Sequence, residues 1–224
     1  FLGFLAENFR EHQVEKNRGK QYIESFYEDL KTDTARVSFH TGFDDSKIFI
    51  LKDLPACYDS ILKNMQATSC LLNVIKISSI NRPFIWTVRT LNQLTNAGGF
   101  RLLRKEDADS IVAYQKAFNN FQDFQSTVFQ DAQNNVRATF NQLINFTANA
   151  QMFKPKNANL ISAFDSSDVK APVLFTNDKA LLNRYFNELE LYYRVTYNHK
   201  GMLLILKDNQ TRLIDYFKNK YHFD

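Results

Sequence analysis

Apolar residues fall three and four apart along most of this chain, with polar residues between them, the spacing of helices buried along one face. Tyr22, Ile23, Phe26, Tyr27 and Leu30 set the pattern within a charged stretch and predict a first helix from Glu7 to about Val37. His40-Thr-Gly-Phe-Asp-Asp-Ser46 has the Gly, Asp and Ser of a turn, with Asp45 or Ser46 placed to cap a second helix from Lys47 to Gln66. Pro55 either kinks that helix or moves its start later.

A third segment, from about Ser69 to Asn96, is interrupted between Ser78 and Pro83. Pro83 suits the first turn of a new helix carrying Phe84, Ile85, Val88, Leu91 and Leu94. Gly98-Gly99 reads as its C-terminal cap, and Phe100 to Arg104 as a short connector. The clearest pattern runs from Lys105 to about Phe153, where Ile111, Tyr114, Phe118, Phe121, Val128, Val136, Phe140 and Leu143 recur without an internal Gly or Pro. A continuous helix of that length extends about 70 Å at 1.5 Å per residue. Glu106, Asp107 and Asp109 sit in its first turn, where the helix dipole favours negative charge.

Lys154-Pro-Lys156 ends this helix, and Asn157 to Thr176 lacks periodicity. Leu160, Ile161 and Val173 to Phe175 predict that the connection packs down. A last helix opens at Asn177-Asp178, either residue being a good cap, and runs to about Lys220. Leu182, Tyr185, Phe186, Leu189, Tyr192, Leu203, Leu206, Leu213 and Phe217 form its stripe, and Gly201 marks a bend or a close helix contact. The predicted fold is all-α, an elongated antiparallel helical bundle with long first, fourth and last helices and a single domain over residues 7–224.

Composition supports helices over a sandwich: 21 Phe and 10 Tyr stand against 6 Gly and 4 Pro, much core material with little turn punctuation. The net charge is +4, but both signs are interspersed and no basic block forms, so nucleic acid is not an expected partner. Cys57 and Cys70 are too few for a disulfide framework and lack the spacing of a zinc site. They either pair, closing a loop of about 14 residues for roughly 3 kcal/mol, or remain buried thiols. No run reaches the roughly 20 apolar residues that cross a bilayer. Phe1 to Ala6 is nonetheless apolar and gives way at Glu7 to frequent charge, and reads as the end of a membrane anchor helix that the first helix continues.

Candidate chemistry is sparse. His12, His40, His199 and His222 lack the spacing of a helix-borne metal site and read as solvated or capping residues. The carboxylate pairs Asp44-Asp45 and Glu106-Asp107 fall at expected helix starts, where capping accounts for them. No nucleophile elbow or phosphate-binding glycine loop occurs. No catalytic, cofactor-binding or metal-binding residue is assigned, and no enzyme activity is expected. Arg101 and Arg104 beside the glycine turn either form an exposed anion site or compensate a helix C-terminus. Tyr185, Tyr192, Tyr193 and Tyr197 are the candidate ligand-binding residues, since tyrosine joins apolar area to a polar tip; core packing gives the same spacing.

Three blocks carry a resemblance. The first is Phe1-Leu-Gly-Phe-Leu-Ala-Glu-Asn-Phe-Arg10 leading to Tyr22-Ile-Glu-Ser-Phe-Tyr-Glu-Asp-Leu30. The second is Leu91-Asn-Gln-Leu-Thr-Asn-Ala-Gly-Gly-Phe-Arg-Leu-Leu-Arg104 followed by Asp109-Ser-Ile-Val-Ala-Tyr114. The third is Asn177-Asp-Lys-Ala-Leu-Leu-Asn183 with Leu213-Ile-Asp-Tyr-Phe-Lys-Asn-Lys-Tyr-His222. Their order resembles a family of uncharacterised single-pass membrane proteins of Bacteroidetes-type Gram-negative bacteria, in which one transmembrane helix precedes a charged helix and a helical domain. The resemblance implies a periplasmic domain held at the inner membrane by its N-terminal anchor, and no activity. The expected role is interaction or scaffolding with a protein partner or a second copy. The alternative is a periplasmic small-molecule sensor domain.

Overall fold

The computed structural model describes residues 2–64, 69–153 and 169–223, without the side chains of residues 2–6 and 64. The fold is all-α. Helix α1 (Leu2–Leu51) is 50 residues long and α8 (Lys179–Tyr221) is 43. Between them lie α2 (Leu54–Asn64), α3 (Ser69–Ser79), α4 (Arg89–Asn96), α5 (Lys105–Phe124), α6 (Gln130–Leu143) and α7 (Phe146–Met152). Among the described residues no helix is long and apolar enough to cross a membrane. The predicted helix ends at Gln66 and at Lys154-Pro-Lys156, and the packing expected of Leu160 and Ile161, lie outside the described residues.

The first helix does not stop at His40. Ser38, Thr41 and Ser46 turn their hydroxyls back to the carbonyls of Thr34, Ser38 and Gly42, so the turn-forming side chains are satisfied within the helix. Val37, Thr41, Asp44, Lys47 and Leu51 continue the buried stripe, and this burial outweighs local turn preference. Asp45 and Ser46 therefore cap nothing. Pro55 sits in the first turn of α2, where its missing N–H costs no helical bond, and it sets the later start.

Pro83 opens no helix. Residues 80–88 run without helix, with Phe84 and Trp86 buried and Ile85 exposed between them. Two α1 carboxylates four residues apart hold this stretch and the start of α4. Asp33 accepts from the Thr87 amide at 3.0 Å and its hydroxyl at 2.8 Å, and Asp29 accepts from the amide and hydroxyl of Thr90. Burial pushes the Asp33 carboxyl above its ordinary range, against the opposing Thr87 bonds and the Arg36 charge. After α4, Gly98 takes the left-handed conformation at φ +67°, as a glycine cap requires. A single 3-10 turn, Gly99–Leu102, then leads to α5.

The expected unbroken helix over Lys105–Phe153 is interrupted twice. A π-helical turn at Gln125–Phe129 separates α5 from α6, and α6 ends at Leu143. Ile144 is extended and bridges Leu174 in antiparallel fashion, and the Asn145 side chain caps α7 by accepting from the amides of Thr147 and Ala148. The bridge satisfies backbone that the helix leaves open: the Asn145 amide donates to Val173 and the Phe175 amide to Leu143. Val173 is buried as expected and Leu174 half-buried, but the Phe175 side chain stands 73% exposed, against the expected packing. Asp178 caps α8, its carboxylate accepting from the amides of Ala180 and Leu181.

The helices gather into two compact units. The first comprises residues up to Thr41, Phe84–Phe121 and Met202 onward; the second comprises Gly42–Pro83 and Gln122–Gly201. In the first unit Ile23, Phe26 and Leu30 of α1 meet Tyr114, Phe118 and Phe121 of α5 and Leu206 and Phe217 of α8, with Trp86 stacked on Phe118 at 4.6 Å. In the second unit Leu51, Ile61, Ile75, Phe129, Val136, Leu143, Tyr185, Leu189 and Tyr192 form the core. Within each unit α1 and α8 run antiparallel, Thr34 meeting Gln210 in one and Asp44 meeting His199 in the other. Cys57 and Cys70 are disulfide-bonded, joining α2 to α3 with their Cα atoms 5.7 Å apart.

Candidate functional site

The second unit holds a charged cluster in its interior. Asp44 and Lys47 lie three residues apart on the buried face of α1, so both side chains point into the core. His199 of α8 places Nδ1 2.6 Å from Asp44 Oδ2 and Nε2 3.3 Å from Gln125 Oε1, and both ends of the ring are thereby fixed. The ring stacks on Phe129 with centroids 4.3 Å apart. Gln125 and Phe129 are the two ends of the π-helical turn, which re-aims the buried stripe of α5 so that it resumes at Phe129.

Lys47 is only 2% exposed, and its ammonium nitrogen lies 4.8 Å from the ring centre of Phe43, 5.0 Å from Phe129 and 5.2 Å from Tyr192. These aromatic faces replace part of the lost hydration. Burial brings the lysine down to about 8; the Asp44 charge opposes the change and Arg137 adds to it. The cluster is thus a positive charge with little solvation, balanced by an Asp-His pair.

Arg137 of α6 also borders a cavity of about 420 Å³ in the same unit, walled by Ile80, Val136, Phe140 and Phe153 and edged by Asn81 and Asn141. Its guanidinium donates to the Ser79 carbonyl at 3.4 Å. Gln133 donates to the Ile80 carbonyl at 3.1 Å, which fixes the turn out of α3. The Asn149 amide oxygen, at the cavity lining, and the Gln133 amide oxygen are both out of solvent and find no partner among the described residues. A cavity of this size with one cation and several amides can hold a small organic molecule.

Of the candidate tyrosines, Tyr185 and Tyr192 are fully buried, Tyr193 is half-buried and Tyr197 is exposed. The Arg137 cavity has none of the four in its lining. Burial pushes both inner hydroxyls well above the ordinary tyrosine range. The histidines separate similarly. His12 and His222 are exposed, His40 packs edge-on against Phe84 at 5.2 Å, and His199 is buried, against the expectation that it is solvated or capping. Asp44 lies inside α1 and not at a helix start, so its expected capping role gives way to the His199 contact. Sequence reading does not gather Asp44, Lys47 and His199, because polar residues in a helical stripe look like caps or its solvated edge; their signal is register, Asp44 and Lys47 with Val37 and Leu51 on α1 and His199 with Tyr192 and Leu203 on α8.

The first unit has its own buried carboxylate. Asp107, fully buried in the first turn of α5, accepts from the Tyr216 hydroxyl and the Lys220 ammonium at 2.8 Å each and from the Tyr221 hydroxyl. Burial alone pushes this carboxyl up, but the hydrogen bonds from Lys220, Tyr221 and Tyr216 outweigh it and hold the group below its ordinary value. Lys220 is held above the ordinary lysine range by Asp107 and Tyr216, against its own burial. Arg101 and Arg104 are exposed. Among the described residues no group of three or more His, Cys, Asp or Glu side chains gathers as a metal site.

No protein-family model, no curated protein and no solved structure matches this chain.

Proposed function

We propose that this chain is an extracytoplasmic helical module that binds or scaffolds a protein partner, held at the inner membrane by an N-terminal anchor of the kind found in the family it resembles. One observation carries the interaction: Phe146 and Phe175, 83% and 73% exposed, flank one short antiparallel bridge, Phe175 next to Leu174 and Phe146 opening α7 two residues after Ile144. The bridge is held by backbone hydrogen bonds on both sides, which gives the two rings a rigid platform. Exposed aromatic side chains on a rigid base are the usual anchors of a protein interface. The Cys57–Cys70 disulfide supports the compartment, since such bonds persist where the surroundings are oxidising.

A photocrosslinking residue in place of Phe175 in native membranes is expected to give one reproducible adduct, reduced severalfold by Phe146→Asp. An adduct of twice the chain's mass identifies a second copy as the partner. No adduct, or one insensitive to Phe146→Asp, removes the interaction surface. The sensor reading rests on the Arg137 cavity, and it stands only if a small-molecule screen finds a compound that raises the melting temperature and loses that effect in Arg137→Ala.

A further inference from the structure

In the first unit four basic side chains, Lys16 and Lys20 of α1, Arg104 before α5 and Lys220 of α8, border one cavity of about 290 Å³ with Leu102 and Tyr221. Among the described residues no carboxylate lines it. Lys220 is engaged, pairing with Asp107 at 2.8 Å and Glu106 at 3.4 Å. The other three border the same cavity and make no ion pair among the described residues. Lys16 and Lys20 stand one helical turn apart, a spacing at which like charges oppose folding.

The backbone is arranged to bring these charges together. Gly19 lies between the two lysines, buried against the Leu102 carbonyl oxygen, and a Cβ at this position would collide with that oxygen. A glycine inside a helix costs roughly 0.5–1 kcal/mol relative to alanine. Here it seats the turn that carries Arg104 directly on the lysine face of α1. Both the glycine and the convergence of like charge oppose stability, and a bound anion offsets the second.

We infer that this cavity binds a phosphate group, most suitably a phosphomonoester with a body of a few carbons. A monocarboxylate neutralises only one cation, whereas a phosphomonoester near neutral pH carries close to two negative charges and three oxygens for three donors. The cavity is also larger than phosphate alone, leaving room for an organic body beside Leu102 and the Tyr221 ring. The chemistry is the same in a soluble phosphomonoester and in the headgroup of phosphatidic acid.

Calorimetric titration at low salt with glycerol 3-phosphate, and flotation with vesicles containing phosphatidic acid, separate those two sources. One saturable site is expected in at least one arm, and the arm that shows it names the source. Lys16→Gln, Lys20→Gln and Arg104→Gln are each expected to weaken binding about tenfold, the worth of one charged hydrogen bond. Lys63→Gln, an exposed lysine of the second unit, is expected to leave it unchanged. No saturable binding in either arm overturns the inference. A loss in Lys63→Gln equal to that in Lys16→Gln does so too, since it marks diffuse charge attraction in place of a site.

Discussion

Lys47 is a charge enclosed by Phe43, Phe129 and Tyr192, and those rings and Asp44 offset the loss of its hydration in the core. Its folded value near 8 lies below the ordinary 10.5, so between these two the unfolded chain holds a proton that the folded chain has released. Folding stability therefore rises with pH across that window, by on the order of 3 kcal/mol at most, and the gain is absent below it. Urea unfolding at pH 7.5, 9 and 10.5 is expected to show this rise in the wild type relative to Lys47→Met, which has no group to titrate. Parallel profiles for the two proteins would refute the buried-charge description. Composition gives no hint of this site, because a lysine three residues from an aspartate reads as solvated surface until α8 is known to bring His199 against it.

At the scale of the element, the segment His40–Ser46 is the sharpest departure, a turn by its residue types and helix by its contacts. A Cβ at Gly42 meets nothing within 4 Å, so Gly42→Ala is expected to stabilise the protein by about 0.5–1 kcal/mol, as in any exposed helix interior. A turn with glycine in the left-handed region would instead lose stability on this change, and chemical denaturation distinguishes the two. Helix ends set by local signals are legible in the sequence: Pro55 in the first turn of α2, Gly98 after α4, Asp178 before α8. Elements decided by distant partners are not. The stretch at 80–88 owes its form to Asp29 and Asp33 on α1, and the break at Ile144 to its bridge with Leu174. Asn145, a good capping residue inside a periodic run, is the one local trace of that break.

For the whole molecule, the all-α class follows from long apolar stripes with few glycines and prolines; the last helix is as long as its pattern implies, whereas the first runs past its expected end near Val37 to Leu51. The stripes do not reveal that they serve two cores, because residues spaced three and four apart look alike whichever unit they enter. Of the candidate site, the burial of Tyr185 and Tyr192 could be read from their place in the stripe; that Lys16, Lys20 and Arg104 border one cavity depends on the close approach at Gly19. The proposed extracytoplasmic compartment is supported by Cys57 and Cys70, whose pairing the sequence leaves open and whose bond links α2 to α3. Alkylating the protein with a thiol reagent as it is released from its own cells, before any reductant is added, tests the extracytoplasmic assignment most directly. The account predicts that mass spectrometry finds neither cysteine labelled until the bond is reduced; both cysteines labelled in the unreduced sample would contradict it.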